Sequence, residues 1–369
     1  MRAVVVTPDF PPMTGGIQRL MGELVDRVGW QTLVITLAHP QAADTGPTHR
    51  VEVVPAARKG SLLLLNAATV KHGRRWRPDA VLCGHIVTSP GAAALGRLLG
   101  VPVVQYVYSK EITGRPKLTT FAVTRAAATI AISQHTTRLA ISAGASAENV
   151  TTIEPGVDPV EAEPPLQRAQ PPTILTVARL RDRYKGFDVM LRALPLVRSQ
   201  IPAVRWVVVG DGELRPELEA TAATSGLSDA VLFTGRVSDA ERDAWYARAH
   251  VFAMPSRVPP DGGGEGYGIV YMEAGMRGLS CIAGNAGAVA ETVLHDETGL
   301  LVDAHDPAEV ADALIALLRD PERARRLGQA GRQRALERSW DRMVREVETL
   351  VEQTVEAWPA RRRNRLRRP

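Results

Sequence analysis

Two successive blocks of short apolar runs, spaced by amphipathic stretches, constrain this chain more than any other feature. The first block has such runs at 3–6, 33–36, 51–54, 80–83, 103–107 and 129–132, with helical periodicity between them, as at 17–28 and 62–74. The second repeats the pattern at 174–177, 206–209, 231–233, 251–254 and 281–283. Runs apolar on both faces and alternating with helices predict parallel strands covered on both sides. The expected fold is therefore α/β, with two doubly wound domains, and 369 residues suffice for each to bury its own core.

Pro159, Pro164, Pro165, Pro171 and Pro172 crowd a short acidic stretch that excludes regular helix, which predicts a linker between domains at 1–165 and 172–335. After Asp306-Pro307 the pattern is wholly helical, ending in a helix expected at 336–358 that should pack across something larger than its own sheet. Residues 359–369 hold six arginines, no acid and no apolar period, and are expected to form a disordered basic tail.

Charge is unevenly distributed. Residues 1–150 hold 16 basic and 8 acidic side chains, whereas 151–358 are net acidic, a contrast that argues against a uniform nucleic-acid groove. No apolar run approaches the roughly 20 residues of a membrane span. Met1 and Arg2 lead directly into an apolar strand and Thr7-Pro8-Asp9-Phe10, without signal-peptide features, so a cytoplasmic location is expected. Cys83 and Cys281 lack metal-site spacing and adjoin aliphatic runs, as buried core thiols do. Leu62 to Val70 lies among Arg58, Lys59, Lys71, Arg74, Arg75 and Arg77. It reads either as the buried face of a helix with solvated cations or as a surface for anionic lipid, burial being the preferred reading.

Three constellations carry chemistry. Gly15-Gly16 follows the first strand and opens a helix, where backbone N–H groups could approach a phosphate; a flexible turn is the plainer alternative. Arg179 and Lys185 follow the first strand of the second domain, in the crevice where doubly wound sheets bind ligands. Charge alone does not separate them from Arg181 and Arg183. Glu265 and Glu273 stand eight positions apart around a glycine loop and the start of an apolar helix, a spacing that puts one carboxylate at a loop tip and the other about two turns inward.

Together with Pro155-Gly-Val-Asp158, Val209-Gly-Asp-Gly212, Phe233-Thr-Gly-Arg-Val237, Pro255-Ser256 and Asp296-Glu-Thr-Gly-Leu-Leu-Val302, these motifs run in a fixed order. The chain, over residues 3 to 355, resembles the retaining GT-B glycosyltransferases of family 4. Phe252-Ala-Met-Pro-Ser256 and the Glu265 to Glu273 segment are most similar to actinobacterial mannosyltransferases that build phosphatidylinositol mannosides; glycosyltransferases that tailor secondary metabolites are similar too.

The resemblance implies two Rossmann-like domains facing a cleft, with the acceptor on the first, the nucleotide sugar on the second, and C-terminal helices crossing back to the first. It implies that Gly15 and Gly16 face the donor phosphates and that Arg179 and Lys185 stabilise the diphosphate. Glu265, with backbone of Gly266, Tyr267, Gly268 and Ile269, would hold the donor sugar. Glu273 would take the ribose, and Gly235, Arg236 and Val237 the base. Gln18, His85, Tyr108 and Glu111 would line the acceptor side.

No cofactor and no metal are implied. The partners would be a small-molecule donor and acceptor, GDP-mannose and a phosphoinositide or cyclitol, without nucleic acid. The inner face of an anionic membrane is a place for peripheral association, and no oligomeric state is assigned. One departure stands out: where the family often has histidine in a His-Gly-x-x-Glu pattern, this chain has Tyr108-Ser-Lys-Glu111 and keeps only the acid. Ser280, where proline is usual, is a lesser one. A UDP-sugar-dependent transferase acting on a natural product, a hydrolase or epimerase of the same fold, and a non-catalytic nucleotide-sugar or nucleic-acid binder are the alternatives.

Overall fold

A computed structural model describes residues 1–13, 15–38, 50–55, 60–160, 170–260 and 262–366, and side chains of the last helix through Pro359. Thr14, Arg58, Lys59, Pro164, Pro165 and Asp261 lie outside the described residues. The chain forms two compact units, Met1–Gly156 with Trp340–Pro369, and Val157–Ser339.

The first unit runs β1 (Arg2–Val6), α1 (Gly16–Arg27), β2 (Gln31–Leu37), β3 (Arg50–Val54), α2 (Ser61–Trp76), β4 (Ala80–Cys83), α3 (Ser89–Leu99), β5 (Val103–Val107), α4 (Ser109–Gly114), α5 (Pro116–Arg125), β6 (Ala128–Ala131), α6 (Gln134–Ser142) and β7 (Val150–Thr152). Its strands are all parallel, in the order β3-β2-β1-β4-β5-β6-β7. The second unit runs β8 (Thr173–Val177), α7 (Phe187–Gln200), β9 (Arg205–Val209), α8 (Arg215–Thr224), β10 (Val231–Gly235), α9 (Asp239–Arg248), β11 (Val251–Met254), α10 (Ile269–Met276), β12 (Cys281–Gly284), α11 (Val289–Thr292), β13 (Gly299–Val302), α12 (Pro307–Arg319) and α13 (Pro321–Leu336). Its parallel order is β10-β9-β8-β11-β12-β13. Two Rossmann-like sheets are thus present.

Continuous apolar strands are explained by cores on both faces. Along β9, Trp206 and Val208 join one buried cluster with α7 and α12, while Val207 and Val209 join another with Tyr246, Phe252 and Tyr271. Both cysteines are free and buried, and burial pushes each thiol up to about 12, which keeps them protonated core residues.

The division between units falls at Gly156/Val157, ahead of the proline-rich stretch. Val157 already belongs to the second unit because its N–H donates to the Arg338 carbonyl at 2.8 Å, and Arg332 holds the Val160 carbonyl at 2.9 Å. The last helix, α14 (Trp340–Leu366), belongs to the first unit. Trp340, Met343, Val344, Val347 and Val351 form its buried stripe, and Arg27–Asp341 (2.8 Å), Trp30 Nε1 to Glu352 (3.0 Å) and Trp358 Nε1 to the Gly100 carbonyl (2.7 Å) tie it down.

Two expectations need correction. The tail expected to be disordered from 359 is helical through Leu366: arginine is a good helix former, and the helix continues past Pro359. Residues 367–369 lie outside the described residues. In α2 the leucine run is not a buried face. Only Leu65, Thr69 and Gly73 are buried, while Leu63 is 78% and Leu64 48% exposed, because four consecutive leucines span more of the helix circumference than one core-facing stripe.

The turn after β8 requires a glycine. Gly186 has φ of +80°, and a Cβ there would lie 2.2 Å from the Pro255 carbonyl oxygen, so the β8 and β11 loops touch through bare backbone. Gly186→Ala should lower stability by more than the about 1–2 kcal/mol of left-handed strain alone; an unchanged urea midpoint would show that the loops do not need this approach.

Candidate functional site

In the second unit, the sheet order places β8 beside β11, and the loops leaving their carboxyl ends carry the expected charges. Arg179 is exposed, two residues beyond β8. Lys185 follows in a single 3-10 turn (Arg183–Lys185), and its Nζ lies 2.9 Å from Glu265 Oε2, with the two side chains only 12% and 18% exposed. Two residues expected to bind different parts of a ligand are therefore each other's partners. The same ammonium sits 5.6 Å from the Tyr184 ring, whose phenol is pushed up by burial and then by Glu265, against an opposing effect of Arg179.

Gly266, Tyr267 and Gly268 lead into α10, which starts at Ile269 behind Gly268. The loop is pinned from below. The Tyr267 carbonyl accepts from Thr292 Oγ1 at 2.5 Å, and Tyr271, whose hydroxyl donates to the Met254 carbonyl, packs edge-on against Phe252. Glu273 lies in the second turn of α10, 7% exposed, and accepts from the Tyr246 hydroxyl at 3.2 Å. Gly235 ends β10, but its carbonyl already accepts from the Gly210 N–H and Thr234 Oγ1, both at 3.0 Å; Arg236 and Val237 follow, exposed and half-buried.

The first unit has its own polar centre. Gly15 precedes α1 with φ 151° and ψ 169°, a conformation essentially confined to glycine, and Gly16 is exposed at the helix start without a side-chain cap. Gln18, on α1, donates to Asp9 Oδ1 at 2.6 Å, and Asp9 Oδ2 stands 3.9 Å from His85 Nε2. His85 follows β4, and its Nδ1 is 2.8 Å from Glu111 Oε2. Glu111, on α4, also accepts from the N–H groups of Ile86 (3.2 Å) and Tyr108 (3.1 Å). Burial pulls the His85 pKa down, but Glu111 and Asp9 outweigh it, and the imidazole is raised above its usual value. The short contact to Glu111 puts a proton on Nδ1, so the 3.2 Å approach of the Val87 N–H to that atom is not a second hydrogen bond. Tyr108 is buried against Tyr106, and its hydroxyl, with Gln18 Oε1 and Ser109 Oγ, has no hydrogen-bond partner among the described residues.

The structure thus gathers Gln18, His85 and Glu111 around Asp9, which sequence reasoning missed although it follows β1 directly. Tyr246 and Arg277 around Glu273 were also missed, and nothing in their local sequence marks them. The imidazole absent at position 108 is supplied to Glu111 by His85.

The architecture defines a class first: a two-unit, doubly wound α/β protein with its polar residues gathered beyond strand carboxyl ends, where this class binds ligands. A family model described as glycosyl transferases group 1 matches residues 159–334, and one described as glycosyltransferase family 4 matches residues 14–161. A GDP-mannose-dependent alpha-(1-6)-phosphatidylinositol monomannoside mannosyltransferase of Mycobacterium tuberculosis is 34% identical over 90% of this chain and 93% of its own. A Corynebacterium glutamicum enzyme acting on the monoacylated form is 28% identical over 95% and 98%. Among solved structures, sucrose-phosphate synthase from Thermosynechococcus elongatus shares the fold at TM-score 0.82 and 21% identity, covering 96% of this chain and 99% of that one. Anabaena HepE with UDP and glucose does so at 0.75 and 20%, covering 95% and 99%. The chain belongs to glycosyltransferase family 4.

Because the folded-state pKa of His85 is raised, its charged pairing with Glu111 stabilises fully below its unfolded pKa of about 6.5 and fades as pH rises through the folded value. Urea unfolding of the protein and His85→Gln should therefore differ most well below the unfolded pKa and progressively less as pH rises past it; a pH-independent difference would refute the charged pair.

Proposed function

We propose that this glycosyltransferase moves a hexosyl group, mannose from GDP-mannose, to a hydroxyl of a phosphoinositide or cyclitol, with retention of anomeric configuration and without a divalent metal. The 34% identity to a GDP-mannose-dependent mannosyltransferase over nine-tenths of the chain supports the donor and acceptor. The observation that carries the chemistry is the nearly buried Lys185–Glu265 pair. A diphosphate arriving beside Lys185 offers the ammonium a stronger anion than one carboxylate, and Glu265 is released to accept a sugar hydroxyl. Arg179 adds charge for the departing diphosphate, Gly266 to Ile269 offer backbone N–H groups to the sugar, and Glu273 takes the ribose. On the first unit, Gly15 and Gly16 offer an open helix start to phosphate, and Gln18, His85, Tyr108 and Glu111 form the acceptor side. The C1–phosphate bond breaks as the acceptor oxygen bonds to C1 on the same face, and the acceptor proton passes to the departing phosphate oxygen, so no protein base is required.

Nucleoside diphosphate release from GDP-, UDP- and ADP-sugars, with chelator and with or without phosphatidylinositol, tests this. Acceptor-dependent release from GDP-mannose alone is expected, with the product linkage retaining by NMR; release from a UDP-sugar alone would move the protein to the natural-product reading. Lys185→Ala should cost about 10²–10³ in kcat, and normal turnover would overturn the site.

No helix among the described residues is long and apolar enough to cross a membrane. We place the enzyme at an anionic membrane surface through α2. Its exposed side carries Leu63, Leu64, Ala67, Lys71, Arg74 and Arg75, and the helix holds no acid. Vesicles with phosphatidylinositol should sediment the protein while phosphatidylcholine vesicles do not, and Leu63→Asp with Leu64→Asp should abolish the difference. Equal binding to both vesicle types would reject the surface.

A further inference from the structure

Glu273 is held by residues that no role above includes. Tyr246, in the last turn of α9, is fully buried, and its hydroxyl donates to Glu273 Oε2 at 3.2 Å. The ring stacks on Phe252 with centroids 6.1 Å apart, packing that a phenylalanine would reproduce. The hydroxyl therefore serves the carboxylate and not the core, since a buried phenol needs a partner and among the described residues it donates to Glu273. Arg277 braces both groups. Its guanidinium lies 4.9 Å from the Tyr246 ring centroid, Nη1 donates to the Glu273 carbonyl at 3.1 Å, and Nη2 pairs with Asp243 Oδ1 at 2.5 Å.

We infer that Tyr246 is the positioning residue that presents Glu273 to the ribose of a nucleoside diphosphate, with Arg277 bracing the pair. The inference rests on reading Glu273 as the ribose contact. Glutamate has three side-chain torsions, and a carboxylate already oriented in the free protein loses less freedom when the two ribose hydroxyls arrive. The phenol fixes one oxygen, and the arginine fixes the backbone from which the side chain springs.

The test titrates GDP and UDP, each with its 2′,3′-dideoxy counterpart, into the full-length protein and into Y246F and E273Q. The unaltered protein should favour the ribonucleotides. Y246F should narrow that preference by up to about tenfold, the cost of immobilising one freed side chain, while dideoxy affinity stays unchanged. E273Q should erase it. A wild-type preference in E273Q would overturn the ribose reading and this inference with it. A preference erased in E273Q but intact in Y246F would overturn the Tyr246 assignment alone, as would equal weakening of both nucleotides in Y246F. Should Y246F not fold, Arg277→Lys, which keeps a cation over the ring but loses the fork, is expected to narrow the preference as well, and an intact preference there would count against the inference.

Discussion

The second unit's chemistry depends on the parallel pairing of β8 with β11, in which Val251 stands opposite Ile174 and Phe252 opposite Leu175. The strands between them in sequence, β9 and β10, lie on the far side of β8. No crossover helix therefore separates the two loops that leave the shared carboxyl edge. One loop brings Lys185 and the other Glu265, 80 positions away in sequence, to 2.9 Å. Gly186 permits this approach, because any Cβ there would strike the Pro255 carbonyl. A nearly buried pair of this kind recovers its desolvation cost only while both members are matched. In this structure Lys185 and Glu265 satisfy each other.

The first unit repeats the topology with a different polar balance. Its switch lies between β1 and β4, so Asp9 and His85 leave neighbouring strands, and β5 delivers Glu111 from the other side of β4. Around them Gln18 Oε1, Tyr108 Oη and Ser109 Oγ are buried without a partner among the described residues. Beyond its strand ends the second unit pairs a lysine with a glutamate, whereas the first sets a histidine between two acids.

The apolar runs of the sequence became strands because both faces of each sheet are covered, which makes the pattern continuous. The strands that escaped notice are β7 and β13. Val150–Thr152 is short, with two threonines in three residues, at a sheet edge, and Gly299–Val302, also at an edge, opens with a glycine. Helix α2 misled for the opposite reason, since four adjacent leucines fill every phase of a helical period and point to no face. Site residues at strand ends were legible because topology assigns ligands to those ends. Asp9 satisfies the same rule, but no motif around it marks it out. Tyr246 and Arg277 obeyed no local rule at all, because their meaning comes from where α9 and α10 bring them.

Where the resembled motif carries histidine, position 108 here is tyrosine, and an imidazole meets Glu111 from another strand. Strands β4 and β5 pair in parallel with Cys83 opposite Gln105, so His85 and Tyr108 leave the sheet nearly side by side. An imidazole mounted on either strand end can therefore reach the same carboxylate, and here it comes from β4, 2.8 Å from Glu111. The exchange is not neutral in geometry. Glu111 holds Nδ1 while Nε2 stands 3.9 Å from Asp9 Oδ2, and burial pushes the Tyr108 phenol well above its usual value. His85 therefore stands between two acids, Glu111 and Asp9, and reaches them from the end of β4.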